Sequence, residues 1–370
     1  MLRQEPKVRV MQLVDSLQLG GTEKMAVLIA NELSGQVGFE SYLYVTHAGG
    51  QLVHEVNNKV ALIQGDKSSF FDLLSFLKLL LAIRKNKIHI LHAHSSSLVW
   101  ASCIKLFCFR RVFLVWHIHH GAIDKLTSWE IKILSFAAKA VNDTIVVNSS
   151  YISIAIERFN IKKEKISYIP NFTNIKVSKS EVINWNVGER IKIIMIANLR
   201  PQKDFDLLID VVKLLKTKNL NFIVRNYGFD LNDSYAKYIK KRVLDEQLDH
   251  WLQLCGPCND IATVAAGANI AILTSESEGL PLTLLEYGLM KIPVVSTNVG
   301  ECKSVLLNGE GGILVDAKNA YDFVEAILWI TSNVNFAQEM ANNLYFNVIK
   351  SHSKEGFMKR LLIIYSALKG

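Results

Sequence analysis

The chain has 370 residues, 50% of them hydrophobic, and a net charge of +8 at pH 7. This length predicts two domains that each bury their own core, and the composition excludes an intrinsically disordered chain. No stretch offers the roughly 18 uninterrupted apolar residues of a membrane-spanning helix, and the N-terminus lacks a signal-peptide pattern. Five scattered cysteines, an odd number, predict a reducing cytosolic setting rather than a disulfide framework.

Short β-rich runs alternate with amphipathic helical patterns along the chain. The predicted strands of the first half are 8–14, 41–45, 88–92, 112–116, 144–147 and 166–169, and those of the second half are 191–196, 221–225, 252–254, 270–273, 293–296 and 313–315. Helical patterns such as 205–217 and 321–330 lie between them. Strands and helices in alternation form parallel sheets covered by helices.

The polar segment 173–190 has weak strand and helix signals and separates the two series. We therefore predict the α/β class, with two Rossmann-like domains whose parallel sheets face an interdomain cleft. The first domain is predicted over residues 1–172, the linker over 173–190 and the second domain over 191–354. A C-terminal helix at about 355–370 is expected to pack back on the first domain.

Positive charge is concentrated in the first half. Residues 1–170 carry 20 Lys and Arg against 13 Asp and Glu, a balance of +7, whereas residues 171–370 carry 22 against 21. A basic half suits nucleic acid, an anionic membrane or a phosphorylated substrate, or it is a solvated surface without a partner. Composition alone leaves these alternatives open.

A Cys-Gly-Pro-Cys motif spans residues 255–258 and matches the dithiol of thioredoxin-like redox proteins. That chemistry needs the motif after the first strand of a compact domain, at a helix N-terminus that lowers the pKa of the first thiol. Cys255 instead ends an internal strand, and Pro257, Asn259 and Asp260 are typical of a turn and a helix cap. A structural role is therefore predicted.

The most informative stretch is TSESEGLPLTLLEYGLMKIPVV, residues 274–295. After a predicted strand, the turn that begins at Glu278 leads into a helix, with Pro281 near its first position, where a missing N–H costs nothing. Amides at such a helix start can bind phosphate. Glu286, about a turn further in, can accept hydrogen bonds from a ribose diol, while Glu278 reaches the other end of a ligand. The alternative is an ordinary helix start with two surface acids.

A basic loop, IANLRPQKDF at residues 196–205, follows the first strand of the second half. Arg200 and Lys203 flank Pro201, so two cations lie at another strand-to-helix loop of the same domain. Cations at this position can neutralise a diphosphate leaving group. A basic loop without a ligand is the alternative.

Three segments of the second half together resemble glycosyltransferase family 4, which consists of retaining enzymes of the GT-B fold. They are ANLRPQK, the segment from Glu278 to Glu286 followed by Pro-Val-Val, and STNVGE. The resemblance covers the whole chain. LGGTEKMAVLIANEL resembles the family's Gly-Gly loop, ILHAHSSS its second-cleft segment and IPNFTN the segment before the linker. Two positions depart from the family pattern: Asn198 stands where Arg is usual, and Glu301 follows Gly300 where Gly-Gly is usual.

The resemblance implies roles in the donor-binding domain. Lys203 would bind the donor diphosphate and Glu278 the transferred sugar, both as catalytic residues, and Glu286 would hold the ribose hydroxyls. Arg200 is expected to replace the Arg that is missing at Asn198. Further donor contacts are implied at Gly279, Leu280, Pro281, Leu282 and Thr283.

In the first domain, the resemblance implies that Gly20 and Gly21 approach the diphosphate, because only residues without a Cβ allow that proximity. A histidine of VWHIHHG would contact the donor sugar. His119 is favoured as this third catalytic residue by alignment with the family's Thr-x-His pattern, and His117 is the alternative.

Two patterns suggest a metal. Asp204 and Asp206 spell the DxD motif of another glycosyltransferase fold, but on a predicted helix they are better explained as first-turn acids. Two groups of histidines could suggest zinc, but no acidic or cysteine partner has a suitable spacing, and strand alternation is expected to send neighbours to opposite faces. We therefore expect no metal. The histidines are His89, His92 and His94, and His117, His119 and His120.

These observations predict a retaining, metal-independent glycosyltransferase that needs no cofactor. It would move a sugar from a UDP or GDP sugar to a saccharide or polyprenyl-linked acceptor in surface-polysaccharide, O-antigen, capsule or lipopolysaccharide assembly. The expected setting is cytoplasmic, with peripheral contact to the anionic inner membrane and no nucleic-acid partner. Residues 70–87 are expected to form a half-buried core helix, with membrane contact as its less favoured alternative. A nucleotide-sugar epimerase and a non-catalytic sugar-nucleotide-binding subunit remain as alternatives.

Overall fold

The computed structural model describes residues 7–67, 72–108, 112–119, 126–175, 189–258 and 260–369. The chain forms two compact units. One contains the residues up to Phe172 and those from Lys354 onward, and the other is Thr173–Ser353. Each unit has its own sheet, in which every pair of neighbouring strands is parallel.

The first unit contains a seven-stranded sheet of order β3-β2-β1-β4-β5-β6-β7. Its central strands are buried on both faces because helices cover the sheet on both sides. The strands are β1 (Val8–Val14), β2 (Phe39–Val45), β3 (Ala61–Gln64), β4 (Ile90–His94), β5 (Phe113–Ile118), β6 (Asp143–Val146) and β7 (Ile166–Tyr168). The helices between them are α1 (Gly21–Leu33), α2 (Leu73–Lys85), α3 (Leu98–Phe107), α4 (Ser128–Ala138) and α5 (Tyr151–Phe159).

The second unit contains a six-stranded sheet of order β10-β9-β8-β11-β12-β13. Its strands are β8 (Ile191–Ile196), β9 (Phe222–Tyr227), β10 (Leu252–Leu254), β11 (Ile270–Leu273), β12 (Val294–Thr297) and β13 (Ile313–Val315). Its helices are α6 (Phe205–Lys216), α7 (Ser234–Asp245), α8 (Ile261–Ala265), α9 (Leu282–Leu289), α10 (Cys302–Val305), α11 (Ala320–Ser332) and α12 (Val334–Ser351). The last helix, α13 (Lys354–Lys369), belongs to the first unit.

The predicted α/β class with two Rossmann-like parallel sheets is confirmed. All twelve predicted strands are present, with ends that differ by at most two residues. The sequence analysis missed β3, a four-residue strand at the sheet edge whose side chains are all partly or fully exposed. Its lack of buried residues explains why it carries no clear apolar signal. The helix predicted at 70–87 is α2, which begins at Leu73; residues 68–71 lie outside the described part of the chain.

In both sheets the strand order reverses direction next to the first strand in sequence. The reversal lies between β1 and β4 in the first unit and between β8 and β11 in the second. Ligands of open parallel sheets bind outside the carboxyl ends of the strands at such a point. Ligand-binding residues are therefore expected in the loops after β1, β4, β8 and β11.

Candidate active site

The loops after β8 and β11 are joined to each other in the second unit. The backbone N–H of Glu276 donates to the carbonyl of Gln202 at 2.9 Å, and the hydroxyl of Thr274 donates to the carbonyl of Lys203 at 2.8 Å. The basic loop and the turn that begins at Glu278, recognised separately in the sequence, therefore form one structure at the strand reversal.

Lys203 and Glu278 form an ion pair at the centre of this structure. Lys203 Nζ lies 2.5 Å from Glu278 Oε1, which also accepts a hydrogen bond from the Ser275 hydroxyl at 2.6 Å. The side chains are only 20% and 11% exposed. Because water is largely excluded from the pair, its charges are weakly screened and the ammonium group is held in a defined position. The sequence predicted both residues for the site but not their direct contact.

Arg200 and Asn198 have different surroundings in the same loop. The Asn198 side-chain oxygen accepts from the backbone N–H of Phe229 at 2.8 Å, so this residue fastens the loop after β8 to the one after β9. The Arg200 Nε atom is buried and has no hydrogen-bond partner among the described residues. A guanidinium with an uncommitted donor next to Lys203 is suited to bind an anion.

The N-terminus of α9 has no side-chain cap. Pro281 is the residue before the helix (φ −71°, ψ 121°) and α9 begins at Leu282, so Pro281 lies near the first helical position, as the sequence predicted. Its extended ψ belongs to the preceding turn. Four other helices of this unit begin at an Asp or Asn whose side chain accepts a backbone N–H: α6, α7, α8 and α11. A helix start without such an acceptor keeps its positive dipole end available to an anion.

Gly300 fixes the position of the turn at Glu278, a role that the sequence analysis missed. Its φ is +54°, and a Cβ built there would lie 2.2 Å from the carbonyl oxygen of Glu278. The following N–H, of Glu301, donates to the carbonyl of Gly279 at 3.0 Å. The glycine of the STNVGE motif therefore allows the loop after β12 to contact the turn at Glu278. This role depends on a contact between segments that are distant in sequence, which the sequence alone does not reveal.

Glu286 is more deeply buried than its predicted role suggested. It is 1% exposed in the second turn of α9, and its carboxylate accepts from the hydroxyl of Thr173 at 3.4 Å. Gly279, Leu280, Pro281 and Leu282 are also buried, whereas Thr283 is partly exposed. Residues 279–283 therefore form the turn before α9 and the start of the helix, with Glu286 about one turn further in.

Gly20 and Gly21 follow β1 at the strand reversal of the first unit. Gly20 precedes α1 in an extended conformation that any residue can adopt. A Cβ on Gly21 would have no other atom within 4 Å among the described residues. The fold of the unit therefore gives no reason for a glycine at residue 21, which leaves room for an explanation that involves a ligand.

Four histidines lie together at the carboxyl ends of β4 and β5. The expectation that strand alternation would separate them was wrong, because residues two apart on a strand point to the same face. Neighbouring ring centroids are 4.7 Å apart for His92 and His94 and 3.9 Å apart for His117 and His119. His89 lies apart and accepts from the backbone N–H of Arg9, and His120 lies outside the described residues.

Burial determines which histidine can reach a ligand. His117 is 0% exposed, whereas His119 at the end of β5 is partly exposed. Burial lowers the pKa of His92 to about 3 and holds the pKa values of His94 and His117 well below their usual range. The three buried imidazoles are therefore neutral near pH 7, and His119 is the better placed of the two predicted sugar contacts.

The remaining motifs have local structural roles. Asp204 precedes α6 rather than lying on it, and its carboxylate accepts from the backbone N–H of Leu207 at 3.0 Å. Asp206 is paired with Arg242 at 2.6 Å, so the two carboxylates serve different partners. Cys255 is a free thiol whose pKa is raised by burial, the opposite of an activated redox cysteine. Asp260 caps α8, as the turn chemistry predicted.

Comparison with known proteins gives consistent matches over both units. Residues 19–177 match the family model described as Glycosyltransferase Family 4, and residues 179–345 match the one described as Glycosyl transferases group 1. An Escherichia coli protein, UDP-Gal:alpha-D-GlcNAc-diphosphoundecaprenol alpha-1,3-galactosyltransferase, is 24% identical over 76% of this chain and 78% of its own length. The O-antigen biosynthesis glycosyltransferase WbnH of E. coli is 27% identical over 81% of this chain and 83% of its own.

Solved structures share the fold. The structure of Anabaena Alr3699/HepE in complex with UDP-glucose superposes with a TM-score of 0.82 at 17% identity, covering 97% of this chain and 99% of that one. The structure of TarM gives a TM-score of 0.79 at 14% identity, covering 98% of this chain and 100% of that one. At these identities the similarity establishes the fold and not the substrate.

Proposed function

Because the chain belongs to the group 1 glycosyl transferases of glycosyltransferase family 4, we propose that it is a retaining, metal-independent enzyme that uses a nucleoside-diphosphate sugar. The observation that carries this proposal is the Lys203–Glu278 pair, held beside the uncapped start of α9 where the strand order reverses. This arrangement supplies a fixed cation and backbone amides for a diphosphate, with a carboxylate for sugar hydroxyls.

In the proposed reaction the bond between the sugar and the diphosphate breaks, and negative charge builds on the departing phosphate. Lys203, Arg200 and the first amides of α9 stabilise that charge, so the donor site itself requires no metal. As in the family that the chain resembles, the leaving phosphate helps to deprotonate the acceptor, and no protein nucleophile is assigned. Glu278 orients the sugar, and partial exposure supports His119 over His117 as the second sugar contact.

We propose UDP rather than GDP as the donor nucleotide. The E. coli relative is named for UDP-Gal, and the Anabaena structure holds UDP-glucose. The same relative is named for a diphosphoundecaprenol-linked acceptor. A polyprenyl-linked saccharide in surface-polysaccharide assembly is therefore the acceptor class that we propose, and we propose that the enzyme meets it on the cytoplasmic side of the membrane.

A transfer assay tests the proposal. Purified enzyme is incubated with UDP or GDP sugars and a short polyprenyl-diphosphate saccharide, in excess EDTA, and the anomeric configuration of the product is read by NMR. A product with the configuration of the donor, formed in EDTA, is the expected result. An inverted product, or turnover that stops in EDTA and returns with Mg²⁺ or Mn²⁺, would contradict the proposal. Acceptor-independent isomerisation of the donor would identify an epimerase, and binding without any turnover a non-catalytic subunit.

A further inference from the structure

The histidine cluster in the first unit forms a ligand set that the donor chemistry does not use. His92, His94 and His117 each place a ring nitrogen so that the three atoms lie within 4.8 Å of one another. All three side chains are buried, on the adjacent strands β4 and β5. Lys203, Arg200 and Glu278 belong to the other unit, and the donor chemistry proposed above uses His119 but none of these three histidines.

The hydrogen bonds around the cluster prepare two of these nitrogens for a ligand. His94 Nε2 lies 2.9 Å from the side-chain oxygen of Gln12, which can only accept, so His94 carries its proton there and Nδ1 keeps its lone pair. His92 Nδ1 lies 2.5 Å from the hydroxyl of Tyr365 on α13, whose oxygen also accepts from the Gln12 side-chain amide at 3.3 Å; in the tautomer that binds a metal through Nε2, the Nδ1–H donates to the same oxygen. Metal-binding histidines almost always donate their other N–H to such a partner.

The cluster also contains buried ring nitrogens that lack partners. His92 Nε2 and both ring nitrogens of His117 have no hydrogen-bond partner among the described residues. Buried polar atoms in native proteins are nearly always satisfied, by protein, water or a ligand.

We propose that His92, His94 and His117 bind a divalent transition metal of the zinc class. Three imidazole nitrogens suit Zn²⁺, whose bonds of about 2.0–2.1 Å in a tetrahedral site separate neighbouring ligand atoms by roughly 3.3 Å. Metal binding brings the widest pair of these atoms together by up to roughly 1.5 Å, and it turns the stacked rings of His92 and His94, whose planes are 4° apart, so that both lone pairs point at the metal. The proposal revises the expectation from sequence, which rejected zinc because no acidic or cysteine partner has a suitable spacing and because strand alternation was expected to send neighbouring histidines to opposite faces.

We place the fourth coordination position toward His119, which gives up its contact with His94 Nδ1 when that nitrogen binds the metal. His119 Nε2 is 3.0 Å from His94 Nδ1, at the partly exposed end of β5. Since the three buried ligands are neutral, the charge of the metal favours hydroxide or another anion at this position. The metal would join β4 to β5 directly and, through Gln12 and Tyr365, connect them to β1 and α13.

Metal content and cobalt spectroscopy test the proposal on the full chain after removal of any affinity tag. We expect about one Zn²⁺ per chain by mass spectrometry, a visible Co²⁺ spectrum typical of tetrahedral nitrogen ligands, and a thermal midpoint that rises with Zn²⁺. His117→Gln should lose all three signals. The matched control is His54→Gln, which changes an exposed histidine of the same unit and should keep them.

A second variant removes only an outer hydrogen bond. Tyr365→Phe should weaken metal affinity about 10- to 100-fold while the spectrum keeps its tetrahedral form, a change that a merely structural tyrosine would not produce. The absence of stoichiometric metal and of the cobalt spectrum in the wild type would overturn the proposal. So would equal metal binding by His117→Gln and His54→Gln. If His117→Gln does not fold, the wild-type cobalt spectrum and Tyr365→Phe decide the question.

Discussion

The Glu278 carboxylate fixes the position of the Lys203 ammonium group before any phosphate binds, because the two groups form an ion pair. Lys203→Ala removes a cation that faces the charge on the departing diphosphate, and the loss of one such interaction costs on the order of 10²–10³ in kcat. Steady-state kinetics with the fold checked by circular dichroism measure this effect. The control is Lys213→Ala. It removes an exposed lysine of α6 that is paired with Glu246, and it should leave kcat unchanged. A near-normal kcat for Lys203→Ala would show that this loop does not stabilise the leaving group.

Glu286 should act on donor binding rather than on the chemical step. The ribose that the family resemblance gives to Glu286 is remote from the bond that breaks, so its contacts are similar in the ground and transition states, and such contacts appear in KM. Because Glu286 is buried, Glu286→Gln keeps the side-chain volume and is the appropriate variant. We expect donor KM to rise by about tenfold, the loss of roughly one charged hydrogen bond, with kcat largely unchanged. An equal fall in kcat would instead assign Glu286 to the transition state.

Substitution of Gly21 by alanine distinguishes an effect on donor binding from an effect on folding. Its Cβ would meet nothing within 4 Å among the described residues, and Ala favours a helix over Gly, so Gly21→Ala should fold with unchanged or slightly raised stability. If the diphosphate approaches this backbone, as the family resemblance implies, the added methyl should raise donor KM by about tenfold or more. Gly35→Ala, after the end of α1, is the control and should alter neither stability nor KM. Normal donor affinity in Gly21→Ala would remove the glycine loop from the donor site.

At the scale of elements, the contact between the loop after β12 and the turn at Glu278 should control activity. Gly300→Ala adds a Cβ 2.2 Å from the Glu278 carbonyl, so the turn that carries Glu278 has to move. A displacement of about 1 Å in a catalytic group can cost about 10²-fold in rate, and we expect a loss of that order in kcat/KM.

The matched control for Gly300 is Gly256. Both glycines have positive φ, +54° and +78°, so both alanine variants carry the strain of a left-handed backbone, roughly 1–2 kcal/mol. The Cβ of Gly256→Ala, however, would meet nothing within 4 Å among the described residues. Thermal midpoints of both variants should therefore fall, while only Gly300→Ala loses activity strongly. Similar kinetics for the two variants would show that the loop contact does not position Glu278.

The strands could largely be predicted from sequence, because buried parallel strands are continuous apolar runs. Contacts between elements that are distant in sequence could not be predicted in this way. The runs at 191–196 and 270–273 match β8 and β11 to the residue. Lys203 and Glu278 could be found from their positions after these strands, but their ion pair joins residues 75 apart in sequence and depends on the strand order. The histidine cluster was missed because its members come from β4 and β5, whose adjacency no local pattern reveals.

At the scale of the whole molecule, the first unit combines positive charge with an exposed apolar surface. Leu73, Leu74, Leu77 and Leu81 of α2 are exposed, beside the basic C-terminal end of this helix. Other large apolar side chains are exposed at the end of α3 and on α4: Leu106, Phe107, Trp129 and Phe136. Among the described residues, no helix is long and apolar enough to cross a membrane. An apolar surface flanked by basic residues is suited to lie on an anionic bilayer.

This surface predicts binding of the intact protein to anionic but not to neutral vesicles, weakening as salt rises through the physiological range. Leu74→Gln with Leu81→Gln should reduce vesicle binding by about 10²-fold or more, since each buried Leu contributes about 1.5–3 kcal/mol and the two together about 3–6 kcal/mol. The control pair, Leu231→Gln with Leu244→Gln, changes exposed leucines of the second unit and should bind as the wild type does. Co-sedimentation with vesicles at several salt concentrations measures both pairs. If the wild type binds neither kind of vesicle at any salt concentration, the acceptor is better sought among soluble saccharides, because a polyprenyl-linked acceptor requires the enzyme to reach the membrane surface.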